Sequence, residues 1–203
     1  MNNHELLVQG NFYHLYNRGI NSCNLFRQPE NYEYFLELYD KHISPVAETY
    51  AWVLMPNHFH LLVRILDEVD HQNLQGFKNL EDLPKQPHQY FSNLFNAYTK
   101  AFNKYNHRTG SLFEHPFHRK IISNPAYFKR LVIYIHNNPV YHGFTEHAMD
   151  YPWSSYLTCI SDSPTKLQRK QVIGWFDNEA RFKYLHQQKL ECLRYDEIFD
   201  IVS

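Results

Sequence analysis

The chain has 203 residues, 43% of them hydrophobic and 20% charged, with a formal net charge of −1. That is enough apolar material for a real core, and 17% aromatics against only 6 Gly exclude collagen-like, Gly-linker and disordered classes and a Gly-rich phosphate loop. The apolar runs 51–55, 61–63 and 131–135 are too short to cross a bilayer, and the first residues have neither a basic nor an apolar leader region; the expectation is a soluble, cytoplasmic protein with no membrane partner.

Phe12–Arg18, followed by Gly19, predicts a first strand ending in a turn. Cys23 comes next; with Cys159 and Cys192 it makes an odd, widely spaced set without C-x-x-C, read as buried or incidental thiols. Glu30–Ile43 predicts a helix, because Tyr32, Phe35, Leu36, Tyr39 and Ile43 recur at helical spacing, and Ser44-Pro45 stops it. Thr49–Met55 and His58–Ile65 are β-rich runs joined by Pro56-Asn57, a hairpin. Residues 67–88 are polar, with Pro84 and Pro87, and read as a long loop. A second helix carries the stripe Phe91, Leu94, Phe95, Tyr98, Phe102 and Tyr105 and ends at Thr109-Gly110. Ser111–Ile122 supplies another strand. Asn124 as N-cap and Pro125 start a third helix, which Pro139 ends near Asn138. The order β-α-β-β-α-β-α predicts an α+β fold, a ferredoxin-like, mostly antiparallel sheet with packed helices. Residues 1–157 form the expected domain, and 158–203 a C-terminal extension with a helix around 178–187.

The small net charge hides an uneven distribution. Between Leu83 and Thr145 stand eight basic residues, Lys85, Lys100, Lys104, Arg108, Arg119, Lys120, Lys129 and Arg130, against the single acid Glu114. Such a basic middle is a footprint for an anion such as a phosphate backbone, and it is equally what a solvated face looks like. Lys100, Lys104 and Arg108 repeat every four residues as a ridge beside the aromatic stripe.

Two local patterns carry chemistry in a chain with 14 His. His58-Phe59-His60 lies on the second arm of the hairpin, where residues i and i+2 share a face about 7 Å apart. The two imidazoles can converge on one metal ion, or simply sit as strand histidines with hydrogen-bond partners. In the third helix Phe128, Leu131, Val132 and Ile135 form the core stripe, and Tyr127, Arg130, Tyr134 and Asn138 cluster on its flank. Tyr134 there is either an edge tyrosine of a packed helix or a nucleophile. A phenol titrates near 10 and needs a guanidinium and a metal-bound phosphate to favour its phenolate. Two imidazoles and the amide oxygen of Asn138 are uncharged ligands that suit Mg²⁺ or Mn²⁺, with substrate oxygens completing the shell, better than zinc.

With both patterns in view, the sequence resembles the single-tyrosine HUH transposases, and more narrowly the repeat-element-associated tyrosine transposases of bacteria. The motifs run in family order through Tyr13-His-Leu-Tyr-Asn-Arg-Gly19, Ala51-Trp-Val-Leu-Met-Pro-Asn-His-Phe-His-Leu-Leu-Val63, Gly110-Ser-Leu-Phe-Glu114, Tyr134-Ile-His-Asn-Asn-Pro-Val140 and Tyr151-Pro-Trp-Ser-Ser155. The resemblance covers roughly residues 10–157.

It implies the HUH endonuclease fold, His58 and His60 as ligands of Mg²⁺ or Mn²⁺, and Tyr134 as nucleophile. Asn138 stands where related transposases carry a Gln ligand. The implied enzyme is a transposase that cleaves and rejoins single-stranded DNA near palindromic hairpins through a 5′-phosphotyrosine. Its partners would be single-stranded DNA hairpins from repeated palindromes, with a homodimer among the assemblies the family allows. Lys100, Lys104, Arg108, Arg119, Lys120 and Arg130 would contact DNA, and Arg18 either contacts DNA or caps its turn. Competing readings are a palindrome-binding protein that does not cut, a nonenzymatic nucleic-acid module, and a metal-dependent hydrolase using water.

Overall fold

A computed structural model describes residues 5–67, 86–124 and 126–188. Strand β1 (Phe12–Arg18) is central because it buries side chains on both faces, Tyr13 and Leu15 on one, His14 and part of Tyr16 on the other. Strands β2 (Ala47–Met55) and β3 (His58–Ile65) form the hairpin through Pro56-Asn57, and β4 (His118–Ile122) pairs with the other side of β1. The order is β2-β3-β1-β4 with every neighbour antiparallel, the ferredoxin-like arrangement expected from the sequence.

The two faces are covered differently. Helices α1 (Pro29–Ile43) and α2 (Pro87–Tyr105) pack on each other and on the face made by Tyr13, Leu15, Phe59, Leu61 and Val63. Helix α3 (Ala126–Tyr141) crosses the opposite face, over β2 and β3. Short α4 (Tyr156–Cys159), α5 (Arg169–Trp175) and α6 (Glu179–Gln187) follow. Val172 of α5, Phe176 just after it and Phe182 of α6 enter the same core as Phe128, Leu131, Val132 and Ile135. Helix α3 is therefore covered along its middle, where every residue from Leu131 to Pro139 is buried. Asn178 caps α6 by accepting from the backbone N–H of Arg181 at 2.9 Å.

Three boundaries differ from expectation. Helix α2 ends at Tyr105, where Asn106 returns both its backbone N–H and its side-chain amide to the Phe102 carbonyl at 2.9 Å. His107 then takes the left-handed conformation, and Gly110 turns the loop only afterwards. Tyr105, last on the aromatic stripe, is exposed. Of Ser111–Ile122 only His118–Ile122 is strand; Pro116 has no N–H for a ladder, and Phe113 makes a lone bridge to Gly19. Helix α3 passes through Pro139 to Tyr141 and is ended by a Schellman turn. There Phe144 N–H donates to the Pro139 carbonyl at 2.8 Å, Gly143 N–H to that of Val140 at 3.0 Å, and Gly143 has φ of +71°. A proline this close to the C-terminus removes one bond of the ladder without breaking the helix.

Asn124 Oδ1 accepts from Ala126 N–H at 3.0 Å, the expected cap, whereas Pro125, most of the polar loop and Cys192 lie outside the described residues. Among the described residues no helix is long and apolar enough to cross a membrane.

Candidate active site

The period of two along β3 sends Phe59 into the core shared with α1 and α2 and leaves His58 and His60 on the face crossed by α3. Antiparallel register adds their neighbours: Arg18 opposite His58, Tyr16 opposite His60, His118 opposite Tyr16, and Lys120 opposite His14. The hairpin is tied to the end of β1, because Gly19 N–H donates to the Asn57 carbonyl at 2.8 Å. A side chain at Gly19 would put its Cβ 2.0 Å from the Cys23 carbonyl oxygen, so this close approach requires glycine.

From above, α3 brings Tyr134 and Asn138, one turn apart, to the same face. The Tyr134 ring lies 5.3 Å from that of His60 and 6.3 Å from that of His14, edge to face with both. Asn138 Oδ1 is 2.9 Å from His58 Nε2, and the other ring nitrogen, Nδ1, is 2.7 Å from Asn57 Oδ1. His58, His60, Tyr134 and Asn57 border a cleft of about 570 Å³ whose lining also includes Arg18, Glu114, His118, His142 and Phe144, with His14 and Asn138 buried behind it. The Schellman turn after α3 delivers His142 and Phe144, and the His142 ring lies 5.1 Å from that of His58.

Three of the site's imidazoles, those of His14, His58 and His60, are pushed towards the neutral form. Burial, helped by Lys120, pushes His14 down to about 3. Burial pushes His58 down to about 4, with His142 and Arg18 acting in the same direction and the Asn138 hydrogen bond against it. His60 is held well below its ordinary value by burial and by its histidine neighbours.

These donors fit a divalent cation. A neutral imidazole has one N–H, yet His58 has an amide oxygen at each ring nitrogen. With Nδ1–H donating to Asn57, the Nε2 lone pair faces Asn138 Oδ1 at 2.9 Å. That lone pair and the Asn138 amide oxygen are neutral donors that would both be available to a cation such as Mg²⁺ or Mn²⁺. Among the described residues no group of three or more His, Cys, Asp or Glu gathers in a way that would hold a metal; the amide oxygen that stands beside His58 Nε2 is that of Asn138.

The basic residues divide. Arg18 reaches the cleft mouth, where its Nε–H donates to Glu114 Oε1 at 2.8 Å. Lys120 lies on the histidine face of the sheet, and Arg130 is exposed one turn before Tyr134. Arg119 points to the opposite face, its guanidinium 5.0 Å from the centre of the Phe117 ring. Lys100 and Lys104 are exposed on α2, which covers the far side of the sheet, and Arg108 is bound to Asn103 and to the Ser111 carbonyl. The ridge and the histidines thus occupy opposite faces of the sheet.

Sequence reasoning missed Glu114, His118, His142, Phe144 and above all His14. His14 Nε2 and His60 Nδ1 are 3.0 Å apart in a buried contact. The alternation His14, Tyr16, Arg18 puts all three on one face of the first strand, but it does not by itself separate a site histidine from a core one.

A ferredoxin-like sheet with a histidine pair facing a helical tyrosine is the arrangement the motifs led one to expect, and the likeness to known proteins agrees. No protein-family model matches the chain. It is similar to a candidate REP-associated tyrosine transposase of Haemophilus influenzae, 27% identical over 113 residues, a match that spans 54% of this chain and 58% of that protein. Its fold is similar to that of the solved structure of a REP-associated tyrosine transposase bound to a REP hairpin, with a TM-score of 0.61 and 18% identity over 81% of this chain and 88% of the other. The resemblance to REP-associated tyrosine transposases is therefore borne out in sequence and in fold.

Proposed function

We propose that the chain is a DNA strand-transferring enzyme that cleaves and rejoins single-stranded DNA beside palindromic hairpins, with Tyr134 as its nucleophile. The observation that carries this reading is the convergence of His58, His60 and Tyr134 on one cleft, with Asn138 buried against His58, although the hairpin and α3 lie far apart in sequence. The match spans less than two thirds of the curated relative, so the activity rests on this geometry and on the family chemistry together.

In the proposed reaction the Tyr134 phenol gives up its proton and its oxygen attacks the scissile phosphorus. The bond from phosphorus to the 3′ oxygen breaks, and that oxygen leaves and is protonated as a 3′-hydroxyl. The strand on the 3′ side stays attached to the tyrosine through its 5′ phosphate. Rejoining is the reverse, with an incoming 3′-hydroxyl displacing the phenol, and it needs no energy cofactor because the phosphodiester bond energy is retained. His58, His60 and Asn138 would hold Mg²⁺ or Mn²⁺, which when bound polarises the scissile phosphate. Tyr134 stands beside His60 of its own chain, which supports a complete site in each copy.

A hairpin partner is supported by the fold neighbour, which is bound to a REP hairpin. Arg18, which lines the cleft, and Lys120, on the histidine face of the sheet, would meet the backbone, joined by the exposed Arg130 one turn before Tyr134; Lys100 and Lys104 would contact DNA only where it wraps the other face.

The test is incubation with 5′- and 3′-labelled hairpin oligonucleotides from palindromes flanking the gene, in Mg²⁺, Mn²⁺ or EDTA, on a denaturing gel. The expected result is a metal-dependent adduct carrying the 3′-side fragment, absent from Tyr134→Phe. Cleavage surviving in Tyr134→Phe makes the protein a hydrolase, and tight binding without cleavage makes it a palindrome-binding protein.

A further inference from the structure

His14 is buried beside the proposed metal ligands, yet the reaction as written gives it no task. It lies diagonally across the β1–β3 ladder from His60, whose direct partner is Tyr16. The two ring planes are 25° apart, and His14 Nε2 meets His60 Nδ1 at 3.0 Å. The rings of Tyr16 and Tyr134 flank His14 at 5.0 and 6.3 Å.

We propose that His14 is a positioning residue for the metal: it accepts the Nδ1–H of His60 and so holds His60 in the ring form whose Nε2 carries the lone pair. The inference rests on reading His60 as a metal ligand. A neutral imidazole has one N–H and one lone pair, and a metal must take the lone pair. Because Nδ1 of His60 is engaged by His14, the ligating nitrogen is Nε2, and the proton must sit on Nδ1. His14 Nε2 is then the acceptor, and its own proton is on Nδ1. Metal-bound histidines usually donate this second N–H to a carboxylate or a backbone carbonyl. A histidine does the same orienting work without setting a negative charge beside a site that must receive a phosphate.

The test uses the full-length protein with ¹⁵N-labelled histidine. A long-range ¹H–¹⁵N correlation spectrum of the metal-free protein, with His60 assigned by its loss in His60→Ala, reads which ring nitrogen holds the proton. Mn²⁺ titration followed by electron paramagnetic resonance reads affinity in wild type, His14→Phe, His14→Gln and His58→Ala. Expected are a proton on His60 Nδ1, a 10- to 100-fold weaker Mn²⁺ affinity in His14→Phe, and recovery in His14→Gln, whose amide oxygen accepts the same N–H. A proton on His60 Nε2, or His14→Phe binding Mn²⁺ as tightly as wild type while His58→Ala does not, overturns the proposal. Wild type that binds no Mn²⁺, or binds it no better than His58→Ala, overturns the metal reading beneath it. If His14→Phe does not fold, the wild-type spectrum and the Gln variant still decide.

Discussion

His58 Nε2 and Asn138 Oδ1 face each other at 2.9 Å across the gap between a strand and a buried helix. If a cation is their common partner, Asn138→Leu lowers Mn²⁺ affinity at least about tenfold, the scale of losing a metal-site contact. Asn138→Asp, which adds a charge, raises it. The Mn²⁺ titration checks both; unchanged binding in Asn138→Leu would leave the amide as a plain hydrogen-bond partner.

Gly19 joins the end of β1 to the hairpin that carries His58, and its Cα packs against the Cys23 carbonyl. Gly19→Ala is expected to cost about 2 kcal/mol, as overpacking against backbone does. Differential scanning calorimetry should show a melting point lower by roughly 4–8 °C for a chain of this size. Tyr134-dependent cleavage should fall further than stability explains, because the hairpin end moves with the turn.

The buried histidines set an acid limit. His14 titrates at about 3, and His58 and His186 at about 4, all lowered chiefly by burial. His136, bonded to His186 and Ser155 at 3.0 and 2.8 Å, lies well below its ordinary value for the same reason. Their folded values lie below the unfolded value near 6.5, so below that pH the unfolded chain binds more protons. Stability is full above about 6.5 and falls as the pH drops towards 4, each such group contributing up to about 1.4 kcal/mol per pH unit. Urea midpoints between pH 7.5 and 4.5 check this. Replacing the pair together, His136→Leu with His186→Leu, should flatten the slope, and an unchanged slope would remove the pair from the explanation.

Arg18 is held by Glu114 at 2.8 Å in an exposed pair, which contributes little to stability. Glu114→Gln should free the guanidinium and tighten single-stranded DNA binding with the melting point nearly unchanged. Arg18→Ala should weaken binding and reduce the salt slope by about one phosphate contact. Fluorescence anisotropy at several salt concentrations measures both.

The histidine pair was legible because alternation along a strand is rigid geometry: an apolar Phe59 fixes where His58 and His60 point. Tyr134 and Asn138 were legible through the 100° step of a helix. The role of His14 was not, since β1 is buried on both faces and its alternation does not distinguish a core histidine from a site histidine. The end of α2 was misplaced because Gly110 is a stronger local signal than Asn106 and His107, while the bonds to the Phe102 carbonyl decide it. Pro139 misled for a similar reason, as Gly143 and its Schellman turn set the end of α3. The face taken by the lysine ridge depends on which side of the sheet receives α2, and the helix's own stripe does not encode that.

Helix α3 is enclosed by the sheet beneath it and by α5 and α6 against it. A tyrosine there is mounted on a helix packed from both sides, much as a workpiece is clamped to the bed of a machine and not to its arm. A strand end joined to Tyr134 would be held by that packing. In the proposed reaction the search for a new junction would then fall to the free 3′-hydroxyl end, and accuracy in rejoining would depend on how that end is guided past Arg18 and Phe144, which line the cleft.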